Sequence, residues 1–333
     1  YLGVTDPDRE RLNFSRKVNK PPSQSSPNIV MVFLESLAAY KTGVFGNPLN
    51  PTPNFDSVAK ESLFFRRFYT PSTGTARSVF AAVTGIPDVE RNETATRDPL
   101  IVRQWTIINS FKNYDKYYFI GGSANWENIR GLLFHNIPGL KMFEEGSFVS
   151  NRINVWGISD LDLFLEANNM LKAAREPFFA VIQTSGSHRP YTIPEDNHGF
   201  KSLGLKDEEV KRFGFESDKE FEAFRFLDHS LGVFVEKAKK EAYFNNTIFL
   251  FFGDHGLPDK AENMPKAESE LGLIHYHVPF LIYAPGLIKN GIIYDKLASE
   301  LDVLPTAASL ASTPYLNTTL GKDLLENGPD ERR

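Results

Sequence analysis

The run Thr247-Ile248-Phe249-Leu250-Phe251-Phe252 shows no alternation of polar and apolar side chains. A strand with one wet face alternates. One that is apolar at successive positions is buried on both faces, as in a parallel sheet covered by helices. The run ends in Gly253-Asp254-His255-Gly256, and the C-terminal tips of such strands are where open α/β sheets place ligands. A carboxylate and an imidazole at one tip, flanked by glycines that permit close backbone approach, can turn onto one metal ion. An earlier apolar run, Asn28-Ile29-Val30-Met31-Val32-Phe33-Leu34, leads into Glu35-Ser36 in the same way. Two buried strands that each deliver acidic or imidazole groups point to a hydrolytic or transfer site built on a metal. The bland alternatives are a satisfied core histidine for His255, and a helix cap or solvated strand end for Glu35.

Apolar strands alternate with amphipathic helices along most of the chain. Strands are predicted at 28–35, 116–121, 178–184, 247–253 and 279–284, and helices at 54–62, 76–84, 127–134, 160–174, 218–241 and 300–311. In the longest helix Phe221, Phe224, Leu227, Leu231, Phe234 and Val235 recur at helical spacing. Strands separated by helices imply an α/β fold with a mainly parallel central sheet and right-handed crossovers. The polar stretch 189–217, with Pro190 and Pro194, reads as a long surface excursion near the site. Residues 1–27 carry Arg9, Arg11, Arg16, Lys17 and Lys20 and end in Pro21-Pro22-Ser23-Gln24-Ser25-Ser26-Pro27, a linker composition. A single domain is expected over 28–325, with a frayed charged tail at 326–333.

The totals narrow the function classes. The 333 residues carry a net charge of −5 and no strongly basic stretch, so nucleic acid is not an expected partner. With no cysteine, a thiol nucleophile, a disulfide scaffold and a Cys-ligated zinc are excluded. Apolar stretches reach only six or seven residues, too few for a membrane span. The chain opens at Tyr1, without an initiator Met or signal sequence. Together with the linker, this leads us to expect a soluble domain excised from a longer membrane protein.

Further candidates for chemistry lie in loops. Gly74 precedes a helix that begins near Thr75 and continues through Val79, Phe80, Ala81 and Val83. Thr75 is either an ordinary N-cap or a nucleophile at a helix start, where the dipole favours a substrate phosphate and a metal activates the hydroxyl. Arg77 either neutralises charge there or is an exposed helical arginine. Ser185-Gly186-Ser187-His188-Arg189-Pro190 follows the third core strand. His188 is placed to bind a substrate oxygen or protonate a leaving group, or is a structural loop histidine. His275 and His277 precede the last buried strand and either line the site or cap the sheet.

Taken in order, Glu35-Ser36, Gly74-Thr75-Ala76-Arg77, Ser185-Gly186-Ser187-His188-Arg189-Pro190-Tyr191 and Gly253-Asp254-His255-Gly256 resemble the motifs of the alkaline phosphatase and sulfatase superfamily. The resemblance runs over about residues 28–325. It is strongest to the lipoteichoic acid synthase and phosphoglycerol transferase branch. Pro51-Thr52-Pro53-Asn54, His277-Val278-Pro279, Asp302-Val303-Leu304-Pro305-Thr306 and Leu320-Gly321-Lys322-Asp323 also match. It implies an alkaline phosphatase-like sheet with a small C-terminal subdomain. It also implies one divalent metal, Mn²⁺ ahead of Mg²⁺ or Zn²⁺, on Glu35, Thr75, Asp254 and His255. Thr75 would take the phosphoryl group covalently and His188 would contact the phosphate. The segment Gly121-Gly122-Ser123-Ala124-Asn125-Trp126-Glu127-Asn128-Ile129-Arg130 resembles the family's headgroup-binding stretch. Trp126, Asn128, Arg130, Arg77 and His277 are accordingly carried as substrate contacts.

The implied activity moves a phosphoglycerol-type headgroup from an anionic phospholipid donor to a glycan or polyol acceptor. It would act outside the cytoplasm, anchored to the inner membrane by a segment that this chain lacks. A sulfatase in the narrow sense needs a Cys or Ser followed by x-Pro-x-Arg, which Thr75-Ala76-Arg77 does not supply. Phosphoethanolamine transferases are usually disulfide-rich, and this chain has no cysteine. Asp302, His275 and His277 do not make a clear second metal set. A phosphodiesterase or phosphonate-type hydrolase, and a non-catalytic headgroup- or glycan-binding domain, stand as alternatives.

Overall fold

The computed structural model describes residues 14–21, 26–90 and 92–326. Most of the expected linker and residues 327–333 of the expected tail lie outside these. Ten strands are present: β1 (Arg16–Val18), β2 (Asn28–Leu34), β3 (Leu63–Tyr69), β4 (Asp115–Ile120), β5 (Leu140–Phe143), β6 (Phe178–Gln183), β7 (Thr247–Gly253), β8 (His277–Tyr283), β9 (Ile292–Ser299) and β10 (Tyr315–Asn317). The α-helices are α1 (Pro53–Ala59), α2 (Thr75–Thr84), α3 (Ile129–Asn136), α4 (Asp160–Leu171), α5 (Asp207–Lys211), α6 (Asp218–Ala238), α7 (Lys266–Glu270) and α8 (Val303–Leu310).

Eight strands form one sheet in the order β5-β4-β6-β2-β7-β8-β3-β9. Pairing is parallel from β5 to β7, and β8 alone runs against its neighbours β7 and β3. The reason is topological. The chain leaves β7 at its C-terminal tip, wanders over the same end of the sheet, and re-enters there at His277.

Both faces of the sheet are covered, which is why β2 and β7 lack alternation. Ile29, Met31 and Phe33 face a core shared with α2, α3 and α8, while Val30, Val32 and Leu34 face one shared with α1, α4 and α6. Every residue of β2 and β7 is buried. Each large apolar side chain so placed contributes about 1.5–3 kcal/mol relative to exposure. Phe33 packs edge-on against Phe252 across the β2–β7 pair, with ring centroids 4.8 Å apart.

Three features depart from the sequence expectations. Strands β3, β5 and β9 of the main sheet were not anticipated. In β3 the apolar run is broken by exposed Arg66 and Arg67, and β9 is a largely exposed edge. Residues 16–18 are not linker, because β1 pairs antiparallel with β10 in a separate two-stranded ribbon. The expected helix 300–311 is divided into a 3-10 turn at Glu300–Asp302 and α8. After β8, the C-terminal chain adds β9 to the main sheet and α8 to its face, and only β10 stands apart in the ribbon. Among the described residues no helix is long and apolar enough to cross a membrane.

Candidate active site

The register of the central strands builds the site. Asn28 through Leu34 lie opposite Thr247 through Gly253, so the next residues, Glu35 and Asp254, emerge together at the strand tips. On the other side Phe33 pairs with Gln183, and Thr184 donates from its hydroxyl and its backbone to Phe33 O. Thr184 Oγ1 also accepts from Glu35 N at 2.9 Å. Glycine is required at both flanks of Asp254-His255: a Cβ on Gly253 would lie 2.3 Å from Leu37 O, and one on Gly256 2.0 Å from Ile274 O. Ser36 turns the chain with a left-handed φ of 55°, a conformation that costs roughly 1–3 kcal/mol for a non-glycine residue. That turn aims Ser36 N at Asp254 Oδ1 (2.8 Å) and Ser36 Oγ at Glu35 Oε1 (2.6 Å).

Glu35, Asp254 and His255 present ligand atoms that all lie within 4.8 Å of one another, and all three are buried. His255 Nε2 stands 3.7 Å from both Glu35 Oε1 and Asp254 Oδ2. Asp254 Oδ1 accepts from Ser36 N and His255 N, but Oδ2 is buried with no hydrogen-bond partner among the described residues. A buried carboxylate oxygen without a donor is costly, and a cation is the usual remedy. Two carboxylates and an imidazole, with Thr75 beside them, form a hard, mostly oxygen donor set suited to Mn²⁺, Mg²⁺ or Zn²⁺. The residues therefore fit a divalent ion.

Thr75 is the first residue of α2, and Gly74 is the cap. Its hydroxyl does not cap the helix but donates to Glu35 Oε2 at 3.0 Å. His188 Nε2 lies 3.2 Å from Glu35 Oε1. Burial alone would raise the Glu35 carboxyl, but the charges of His188 and His255 and hydrogen bonds from His188 and Ser36 hold it low. Asp254 moves the other way, raised by burial and by the charge of Glu35. Burial would depress His188 and His255. The neighbouring carboxylates outweigh it and raise both. The cluster thus draws positive charge from whatever is at hand.

A cavity of about 180 Å³ opens from this cluster. Its lining includes Glu35, Thr75 and His188, the indoles of Trp126 and Trp156, and Arg152. Trp126 is therefore at the cavity. Four other anticipated contacts are not. Arg77 is held away by Asp88 (3.3 Å) and by the carbonyls of Glu90 and Glu93. Asn128 donates to Thr96 O at 2.6 Å. Arg130 is bound to Asn125 Oδ1 and Glu144. His277 uses both ring nitrogens, on Glu268 and on Arg66 O, and stacks on Tyr69 in a different groove. Arg77 and His277 were expected from their places in the chain and Asn128 and Arg130 from the family resemblance, and each side chain is engaged by other residues.

Other residues at the site carried no local signal. Asp160, at the start of α4, accepts from Ser185 N and Gly186 N at 2.9 Å each and so fixes the loop that carries His188. Its carboxyl is pushed up to about 6 by burial, against the pull of those two amides. Trp156 stacks on His188 with centroids 4.2 Å apart. A Ser-Asp pair at a helix start, and an aromatic before a glycine, were the only traces of them in the sequence.

Comparisons with known proteins agree with this geometry. The family model described as Sulfatase matches residues 27–313. Lipoteichoic acid synthase 1 of Bacillus subtilis (strain 168) is 24% identical over 93% of this chain and 50% of its own length. Lipoteichoic acid synthase of Staphylococcus aureus (strain USA300) is 23% identical over 96% of this chain and 52% of its own. The chain thus spans about half the length of the curated relatives it matches. An alkaline phosphatase superfamily protein from Vibrio parahaemolyticus superposes with a TM-score of 0.82 at 26% identity, covering all of this chain and 78% of that one. The lipoteichoic acid synthase LtaP from Listeria monocytogenes gives 0.72 at 21% identity, over 86% and 72% of the two chains, a likeness of fold. With a family model matched over residues 27–313 and the whole chain superposing on a member of that superfamily, the chain belongs to the sulfatase family, within the alkaline phosphatase superfamily.

Proposed function

We propose that this chain is a metal-dependent transferase that moves a phosphoglycerol-type headgroup from an anionic phospholipid to a glycan or polyol hydroxyl. One observation carries the reading. The Thr75 hydroxyl sits at the N-terminus of α2, 3.0 Å from Glu35 in the Glu35–Asp254–His255 cluster, and Thr75 and Glu35 both line a cavity of about 180 Å³. The similarity to two lipoteichoic acid synthases supports the substrate class.

In this reading Glu35, Thr75, Asp254 and His255 hold one divalent ion, Mn²⁺ being the first choice. Such an ion lowers the pKa of a hydroxyl and offsets the charge of a diester. Thr75 Oγ passes its proton to Glu35 Oε2, which accepts its hydrogen bond, and attacks phosphorus in line. The bond from phosphorus to the lipid oxygen breaks, and diacylglycerol leaves with a proton. Glycerophosphate remains esterified to Thr75. His188, beside Glu35, contacts the phosphoryl oxygens or supplies that proton. The amides at the start of α2 stabilise the charge that builds up on phosphorus. An acceptor hydroxyl then attacks the same phosphorus, its proton passes to the site, and Thr75 is released unchanged. The full-length protein would present this domain on the outer side of the cytoplasmic membrane, through a segment outside this chain.

The test is intact mass after incubating Mn²⁺-loaded protein with phosphatidylglycerol, beside Thr75→Ala. An adduct of glycerophosphate mass on the wild type alone is expected. Diester hydrolysis without an adduct in the wild type favours a hydrolase of the same superfamily. Undiminished turnover in Thr75→Ala removes Thr75 from the chemistry.

A further inference from the structure

Trp156 holds the His188 loop at two points, the imidazole itself and the carbonyl of the next residue. The indole lies on the imidazole face with centroids 4.2 Å apart and planes 19° from parallel. Its Nε1 donates to Arg189 O at 2.8 Å, on the residue that follows. A ring stacked on one face and tied through the next carbonyl has little freedom about χ2, a torsion that is otherwise broad. His188 held in this way keeps Nε2 3.2 Å from Glu35 Oε1. Trp126 closes the outer side, edge-on to Trp156 at 6.2 Å.

The turn that carries Trp156 is itself fixed. Arg152 donates to Asn154 O (2.6 Å) and Val155 O (3.1 Å) and pairs with Glu145 (2.6 Å). Trp156 N donates to Asn154 Oδ1 at 2.8 Å. Ile158 N donates to Gly121 O at the end of β4. Gly157 adopts φ 111°, and a Cβ there would fall 2.0 Å from Gly121 O, so the turn lies directly on the sheet. Arg152 also lines the cavity, and its guanidinium makes these three contacts.

We infer that Trp156 is a positioning residue for this site: it acts through His188, setting the imidazole plane relative to the phosphoryl position beside Thr75. The inference rests on the reading of His188 as a group that meets substrate. It predicts that Trp156 and His188 form one functional unit, whose losses do not multiply.

The experiment is a double-mutant cycle on Mn²⁺-loaded protein with phosphatidylglycerol as substrate, diester cleavage being read as diacylglycerol release, and with metal content and melting temperature measured on each protein. Trp156→Leu, which fills space but cannot stack, is expected to lower kcat by about 10- to 100-fold, the scale of a small misplacement in a site. KM, metal content and melting temperature should hardly move. Trp156→Phe should restore most of the rate, because it keeps the stack and loses only the bond to Arg189 O. Trp156→Leu added to His188→Ala should cost nothing further. Multiplying losses, a loss confined to KM, a Phe variant as poor as Leu, or an undiminished Leu variant would each overturn the inference. A defective His188→Ala beside an intact Trp156→Leu overturns this inference alone. A wild type without diesterase activity overturns the functional reading and this inference with it.

Discussion

Asp254 divides its two oxygens between the fold and the site. Oδ1 takes the amides of Ser36 and His255, and Oδ2 takes nothing within the described protein. Held next to Glu35 in a buried place, it is a net cost to the apoprotein, which a cation turns into a gain. Asp254→Asn keeps one acceptor oxygen and removes the charge. The variant should melt no lower than the wild type without metal, and should no longer be stabilised by Mn²⁺. The wild type should gain about 2.7 kcal/mol at a hundredfold excess over Kd. Paired thermal melts with and without Mn²⁺ decide it, and equal metal-induced shifts would remove Asp254 from the ligand set. Asp254, His255 and Glu35 were legible in the sequence because each follows an apolar run that can only be a buried strand. Trp156 and Asp160 were not. Their work is done on residues 25 to 33 positions away, through a stacked ring, a carbonyl and two backbone amides, and no local pattern encodes such distances.

At the scale of elements, what the sequence revealed followed burial. Strands β2, β4, β6, β7 and β8 were anticipated to within two or three residues because they lie inside the sheet. The edge strand β9 and the bulged strand β3 were missed because exposed charges interrupt them. Helix contacts show a further device. Asp228 on α6 accepts from Asn54 N (3.0 Å) and Phe55 N (2.7 Å), and so satisfies the first amides of α1. Burial nonetheless pushes its carboxyl up to about 6, although those same donors pull it down. In the folded state the proton is therefore bound more tightly than in the unfolded chain, where a carboxyl titrates near 4. Folded protein holds more protons between pH 4 and 6, so this group's contribution to stability falls as pH rises through that window and is flat above it. Asp228→Asn should abolish that fall. Urea midpoints of the two proteins at pH 4, 5, 6 and 7 give the comparison. Parallel profiles across the window would show that Asp228 ionises as freely in the fold as outside it.

At the scale of the whole molecule, the two ends of the domain are joined. Strand β1 pairs with β10, and Arg16 donates to Thr319 O at 2.9 Å and Gly321 O at 2.6 Å. Lys20 reaches Asp323 at 3.2 Å. This is the part the sequence hid most completely. Three residues of strand in a polar, basic stretch look like linker, because the partner that gives them structure is some three hundred positions away. The contact has a mechanical consequence. The C-terminal segment also anchors on the site side, where Lys322 N donates to Asp302 Oδ1 and Leu324 N to Thr306 Oγ1 of α8. The ribbon therefore braces α8, which packs in the same core as α2, the helix that begins at Thr75. A version beginning at Ser26 should fold, bind metal and turn over. It loses hydrogen bonds from a charged donor to carbonyls, each worth about 1.5–3 kcal/mol, and its melting temperature should drop by several degrees. Arg16→Ala in the full chain should account for most of that drop, because the guanidinium supplies the bonds that β1 alone does not. If Arg16→Ala leaves the melting temperature unchanged while the truncation lowers it, the backbone pairing of the ribbon, and not the arginine, holds the ends together.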